Sequence, residues 1–201
     1  MRKAFPLLIV LAVLFATSAS AADGFPKSIA GFTLGEPMER YGQYCRMEQA
    51  LPVSDAPFLS EVLIKPDALP GVRGGSLAFG NCRNKDRLVR VKLKFNDRGQ
   101  GFFDKLYERY EDAFGEPDKY LGDAFKNVIA WEWFFRNDKG EQISLVLMWS
   151  RDKEIRPGVS IKMTYGSLMD EEYECYMAGF EGAPNGPGKS VIRSLDTYVP
   201  R

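Results

Sequence analysis

Histidine is absent from all 201 residues. That removes the side chain that most often serves as general base near neutral pH, so Ser-His-Asp and Cys-His catalysis are excluded, as are imidazole zinc sites. Cysteine is scarce: Cys45, Cys82 and Cys175 are widely spaced and include no C-x-x-C pair, so they make no thiolate metal site. The chain also lacks a G-x-x-x-x-G-K-[ST] loop, a G-x-G-x-x-G turn after a strand, a G-x-S-x-G elbow and an acidic calcium loop. Neither a metal nor a cofactor is expected. Charge of one sign is missing too, since 27 Lys and Arg face 27 Asp and Glu, which gives no electrostatic case for nucleic acid.

Long hydrophobic runs are missing but for one. Arg2 and Lys3 precede an uncharged apolar stretch over residues 4–16, which is followed by small residues around Ala19, Ser20 and Ala21. A basic start, a run too short to span a bilayer and a small-x-small site are the parts of a cleavable signal peptide. Residues 1–22 are assigned to it, with cleavage after Ala21 or Ala22, and the mature chain is expected to be periplasmic or secreted. Without Arg2 and Lys3 the 27 basic residues become 25 against 27 acidic ones, a net charge of about −2. In an oxidising compartment two of the three cysteines are expected to pair.

Hydrophobic content of 45% and aromatic content of 13% suit a packed globule. Within it, three segments recur at nearly one offset: 38–41 with 107–110, 77–79 with 147–149, and 89–95 with 159–165. In the second copy, Phe103, Leu106, Tyr107, Tyr110 and Phe114 fall on one face of a helix that Gly115 and Pro117 stop. Alternation then predicts strands over 127–136, 143–149 and 159–165, with a hairpin turn at 137–140. The first copy predicts a shorter helix over 37–44 and strands over 60–65, 74–80 and 87–95. The expected fold is α+β: tandem helix-plus-three-strand repeats at 23–96 and 97–166, fused into one antiparallel sheet with both helices on one face. Residues 167–201 form a tail with a short helix at 168–178 and a Pro/Gly linker at 182–188. This doubled helix-then-meander plan resembles in layout that of secreted inhibitor and outer-membrane-assembly modules, and it carries no motif by which site residues transfer.

The repeat alignment puts Cys45 at the position of Phe114, on the core side of its helix, and pairs it with Cys82 in the same half, leaving Cys175 remote. Trp131, Trp133, Phe135 and Trp149 match the period of the helix face and are expected to pack beneath it rather than form a ligand platform. The opposite strand face is unusually apolar for one in contact with water: Val128, Ala130, Phe134, Val146 and Met148 point there. Either the tail or the 46–58 loop covers it, or a protein partner or second copy does. Arg90, Lys92 and Lys94, with Lys162, add a basic stripe beside it, read either as a solvated face or as a site for an acidic partner or lipid head groups. Glu116, Asp118, Asp123 and Glu132 are the candidates for carboxylate chemistry. The chain is thus expected to be an exported, non-enzymatic binding protein (an inhibitor, adaptor or assembly factor) acting through Val128, Phe134, Val146, Met148, Arg90, Lys92 and Lys94. A carboxylate-dependent hydrolase and a carrier of small apolar ligands stay open beside it.

Overall fold

The computed structural model describes residues 25–152 and 157–179. The expected signal peptide at 1–22 and the expected linker at 182–188 lie outside them. A small ladder comes first, β1 (Ser28–Ile29) with β2 (Phe32–Thr33), followed by 3-10 turns at Met38–Tyr41 and Met47–Gln49. Then come β3 (Leu51–Val53), β4 (Ala56–Leu63), β5 (Val72–Gly80), β6 (Leu88–Phe95) and α1 (Gln100–Phe114). After these stand β7 (Lys119–Tyr120), β8 (Val128–Arg136), β9 (Gln142–Ser150), β10 (Gly158–Tyr165) and α2 (Gly166–Ala178). Among the described residues no helix is long and apolar enough to cross a membrane.

The main sheet has eight antiparallel strands in the order β3-β4-β5-β6-β10-β9-β8-β7. Its centre is the β6–β10 pair, and β10 is buried along nearly its whole length. One row explains the stability of the first face. Leu77, Val91, Met163, Leu145 and Trp133 are cross-strand neighbours across five strands, and each is at most 3% exposed. Such a row removes apolar surface from water continuously, at about 25 cal/mol per Å².

Over the β8–β10 half of this face lies α1. Its buried Phe103 and part-buried Tyr110 meet the sheet, with the Tyr110 ring 5.6 Å from Trp133 and Phe114 5.1 Å from Phe135. Gly115, at φ 82°, ends the helix with its N–H on the Glu111 carbonyl, and its own carbonyl accepts the Trp133 indole N–H at 2.9 Å. The N-terminal segment covers the β4–β6 half through Phe32, Leu34, Met38, Tyr41 and Cys45.

Three expectations are corrected. The helix predicted at 37–44 is only the 3-10 turn Met38–Tyr41. Its own amides close three-residue turns, Arg40 on the Pro37 carbonyl, Gly42 on Glu39 and Tyr44 on Tyr41, while its start is tied to the β5–β6 connection: Gly35 donates to the Leu88 carbonyl, Met38 to that of Asp86, and Leu88 to that of Glu36. Among the described residues the first half therefore has strands and 3-10 turns without an α-helix, and an α-helix followed by three strands is seen once.

The helices also lie on opposite faces. The second helix of the fold is α2, whose Leu168, Met169 and Tyr176 pack on Val53, Ala56, Phe58, Leu59, Ala78 and Val89, on the side of the sheet away from α1.

The disulfide is Cys82–Cys175, with Cα atoms 6.0 Å apart, and not Cys45–Cys82. Cys45 is a free, buried core residue whose backbone bridges Ile64, and burial pushes its thiol up to about 11. The helix that aligned it with Phe114 does not form, whereas α2 carries Cys175 to the loop after β5. One turn before Cys175, the fully buried Glu172 carboxylate accepts the backbone N–H groups of Asn81, Cys82 and Asn84. Gly80 makes the approach possible: a Cβ there would stand 2.7 Å from the Glu172 carboxyl carbon. Carboxylate and disulfide thus clamp the same loop to the same helix.

Candidate functional site

The second sheet face mixes apolar and polar side chains across its strands. Lys92 lies between Ser76 and Lys162, Lys162 between Lys92 and Val146, and Val146 between Lys162 and Glu132. Met148 stands between Ser160 and Ala130. Ala130 and Val146 are buried, at 3% and 7% exposure, while Phe134 is 55% exposed near the sheet edge. The predicted residues are divided accordingly. Arg90, Lys92, Val146 and Met148 meet in one cleft of about 230 Å³ that Asp55, Glu61 and Lys162 also line. Val128, Phe134 and the exposed Lys94 are not among its walls.

Arg90 is the anchor of that cleft, its side chain only 11% exposed. Nη1 donates to Asp55 at 3.2 Å and Nη2 reaches the Met169 sulfur at 3.6 Å, while Nε is buried without a hydrogen-bond partner. Burial acts to raise the Asp55 carboxyl, but the Arg90 charge and hydrogen bond outweigh it and hold the group below its usual range. The cleft is a polar seam next to α2 rather than an open apolar face.

A larger concavity lies on the first face, between α1 and the β7–β8 connection. Its volume is about 700 Å³, within the roughly 300–1,000 Å³ range of ligand sites. Trp131 forms its centre, with the Tyr107 ring 6.0 Å away on one side and the Tyr120 ring 4.7 Å away on the other. Phe103 and Ile129 complete the apolar lining, Phe103 being stacked on Tyr107. Along the helix side run Asp104, Glu108 and Glu111, at i, i+4 and i+7, and all three are exposed. Tyr107 donates its hydroxyl to Glu111 at 3.2 Å; partial burial and that carboxylate together raise the phenol.

The far wall is a loop at 121–127 organised by Asp123. Its Oδ1 accepts the N–H groups of Phe125 and Asn127, and its Oδ2 that of Val128 at 2.6 Å. Desolvation alone would raise this carboxyl, but the three amides and Arg151 keep it low. Tyr120 donates its hydroxyl to the Asp123 and Val128 carbonyls. Beyond the wall, Phe125 projects at 83% exposure, with Leu121 at 41%.

Three of the four candidate carboxylates serve the local backbone or ladder: Asp123 organises the loop, Asp118 accepts the Phe134 N–H at 2.7 Å, and Glu132 is the ladder neighbour of Lys119; Glu116 makes no hydrogen bond with them. Among the described residues no group of three His, Cys, Asp or Glu is placed to hold a metal ion. Of the four aromatics expected under the helix, Trp133 is fully buried, while Phe135, Trp149 and Trp131 are part-buried against the core. Trp131 also faces the groove. The groove itself escaped sequence reasoning, although Asp104, Glu108 and Glu111 beside Phe103 and Tyr107 carry its helical spacing.

A third polar group ties the N-terminal segment to the β8–β9 hairpin. Lys27 lies 3.2 Å from Glu141 and donates to the Tyr165 hydroxyl at 3.0 Å, while Tyr165 donates to Glu141 at 2.5 Å. The hydrogen bonds from Tyr165 and Asn137, then the Lys27 ammonium, hold the Glu141 carboxyl at about 2. Comparison with known proteins finds no matching protein family, curated protein or solved structure.

Proposed function

We propose that this chain is an exported, non-enzymatic binding protein that engages a protein partner in the groove between α1 and the 121–127 loop. One observation carries the reading: a concavity of about 700 Å³ is lined by a part-exposed tryptophan that packs against two tyrosines, beside a wall held by its own hydrogen bonds. Part-exposed Trp and Tyr with an apolar body and a polar tip are the residues that dominate binding energy at interfaces. The scattered carboxylates speak against hydrolysis. A carrier of small apolar ligands would enclose its cargo, and this groove is open on one side.

The second-face reading yields to this one because Ala130 and Val146 are already buried within the monomer. Export rests on the N-terminal pattern, and the Cys82–Cys175 bond is compatible with an oxidising compartment. The meanders β4–β6 and β8–β10 place the repeated segments in corresponding second and third strands, which supports a duplication at strand level.

A photo-cross-linking amino acid placed at Glu108 on the groove rim, and separately at Lys94 on the second face, tests the site in the protein's own envelope extract. Adducts are expected from position 108, and they are expected to disappear when Trp131→Ala is added. Adducts from position 94 alone would overturn the reading. Export is checked by N-terminal sequencing of the native protein, which should begin at residue 22 or 23.

A further inference from the structure

From the charge and ring geometry of this groove we infer its ligand class: a cationic amphipathic peptide segment of the partner, with Lys or Arg interleaved with aromatic or aliphatic side chains. The inference rests on the groove being the binding site and adds what binds there. The chain as a whole has equal numbers of acidic and basic residues, yet the groove does not share that balance. Asp104, Glu108, Glu111 and Asp123 line it against a single cation, Lys126. Asp123 spends its oxygens on backbone amides, so the outward charge is that of the three helix carboxylates. At 1.5 Å rise per residue, Asp104 to Glu111 spans about 10 Å, the length of about three residues of extended chain.

The aromatic floor matches the same chemistry. A cation entering between the helix carboxylates meets the rings of Tyr107, Trp131 and Tyr120, whose π faces attract positive charge. An anionic segment would lose on both counts. The open side of the groove and the exposed Phe125 and Leu121 beyond its wall extend the apolar surface past what one small cation covers, which favours a peptide.

The test uses the mature full-length protein and follows tryptophan fluorescence and calorimetric heat with three probes. These are a blocked peptide of alternating Lys and Phe/Leu residues, the same peptide with Glu in place of Lys, and benzyltrimethylammonium. The Lys peptide should bind at least about tenfold more tightly than the Glu peptide and weaken with added salt. The triple variant Asp104→Asn, Glu108→Gln, Glu111→Gln should lose about tenfold of that affinity while unfolding at an unchanged denaturant midpoint. Loss of the fluorescence change in Trp131→Phe would place the peptide on the groove floor. Equal binding of the Lys and Glu peptides, full affinity in the triple variant, or binding of the small cation alone would each overturn the inference. If no probe binds while position 108 still cross-links a partner, the ligand class is wrong and the binding site stands.

Discussion

The two faces of the sheet are built from different side chains and use charge in opposite ways: the first carries the apolar row of Leu77, Val91, Met163, Leu145 and Trp133, the second Lys92, Lys162 and Glu132 around Val146. On the α1 side, aromatic rings fill the core and then continue outward to a groove with an acidic rim. On the α2 side, the charges turn inward: Arg90 meets Asp55, and Glu172 is buried against three amides. Strand alternation assigns a residue to a face, but it does not say which helix will lie over that face. Cover decides whether an apolar residue belongs to a core or to a site.

The sharpest way to break this contrast is a pair of tryptophans two residues apart on β8. Trp133→Ala empties a fully buried position and strands the Gly115 carbonyl, so it should cost about 3–5 kcal/mol in urea unfolding. Trp131→Ala should cost less, about 2 kcal/mol, because the ring is only part-buried, while abolishing partner capture. Equal stability losses would mean that the groove is simply core. On the other face, Glu172→Ala leaves three amides of the 81–84 loop without their acceptor and should cost about 3 kcal/mol, read by the same unfolding assay. Partner capture should survive that change wherever the protein remains folded.

These pairs also show what the residues revealed in advance and what they concealed. The strands β6, β9 and β10 and α1 were legible because each keeps one period over seven or more residues, as in Val89, Val91 and Leu93 or in Phe103, Tyr107, Tyr110 and Phe114, whereas β4, expected at 60–65, runs over Ala56–Leu63 without strict alternation. How α2 packs was obscured by Glu172, an acid in the middle of its inward stripe of Leu168, Met169 and Tyr176. The 37–44 segment misled in the opposite direction, since its pattern suits a helix while its amides close only i to i+3 turns and its start is tied to the β5–β6 connection. The disulfide followed from both errors. The groove needed the 121–127 loop, whose shape depends on one carboxylate accepting three amides, and no periodicity announces such a loop.

Smaller effects sharpen the contrast further. Cys82→Ser with Cys175→Ser should lower stability by about 2–4 kcal/mol, as expected for a long closed loop. The loss should be less than additive with Glu172→Ala, because both hold the same loop, and a double-mutant cycle checks it. The smallest effect concerns the hairpin clasp. The Glu141 carboxyl falls from an ordinary 4.5 to about 2 in the folded state, so its contribution is fully present above pH 4.5 and is lost as pH falls toward 2. Across that window the stability difference between the parent protein and Glu141→Gln should shrink toward zero, measured by denaturant titration at each pH.

Partner capture by Trp131→Ala and Met148→Ala, compared side by side with the parent protein in envelope extract, tests the central claim most directly. The first substitution removes the centre of the groove and the second the most accessible apolar wall of the α2-side cleft. With both variants folded, the groove account expects Trp131→Ala to lose the cross-linked partner and Met148→Ala to keep it. Retention by Trp131→Ala with loss in Met148→Ala would contradict the account and return function to the second face.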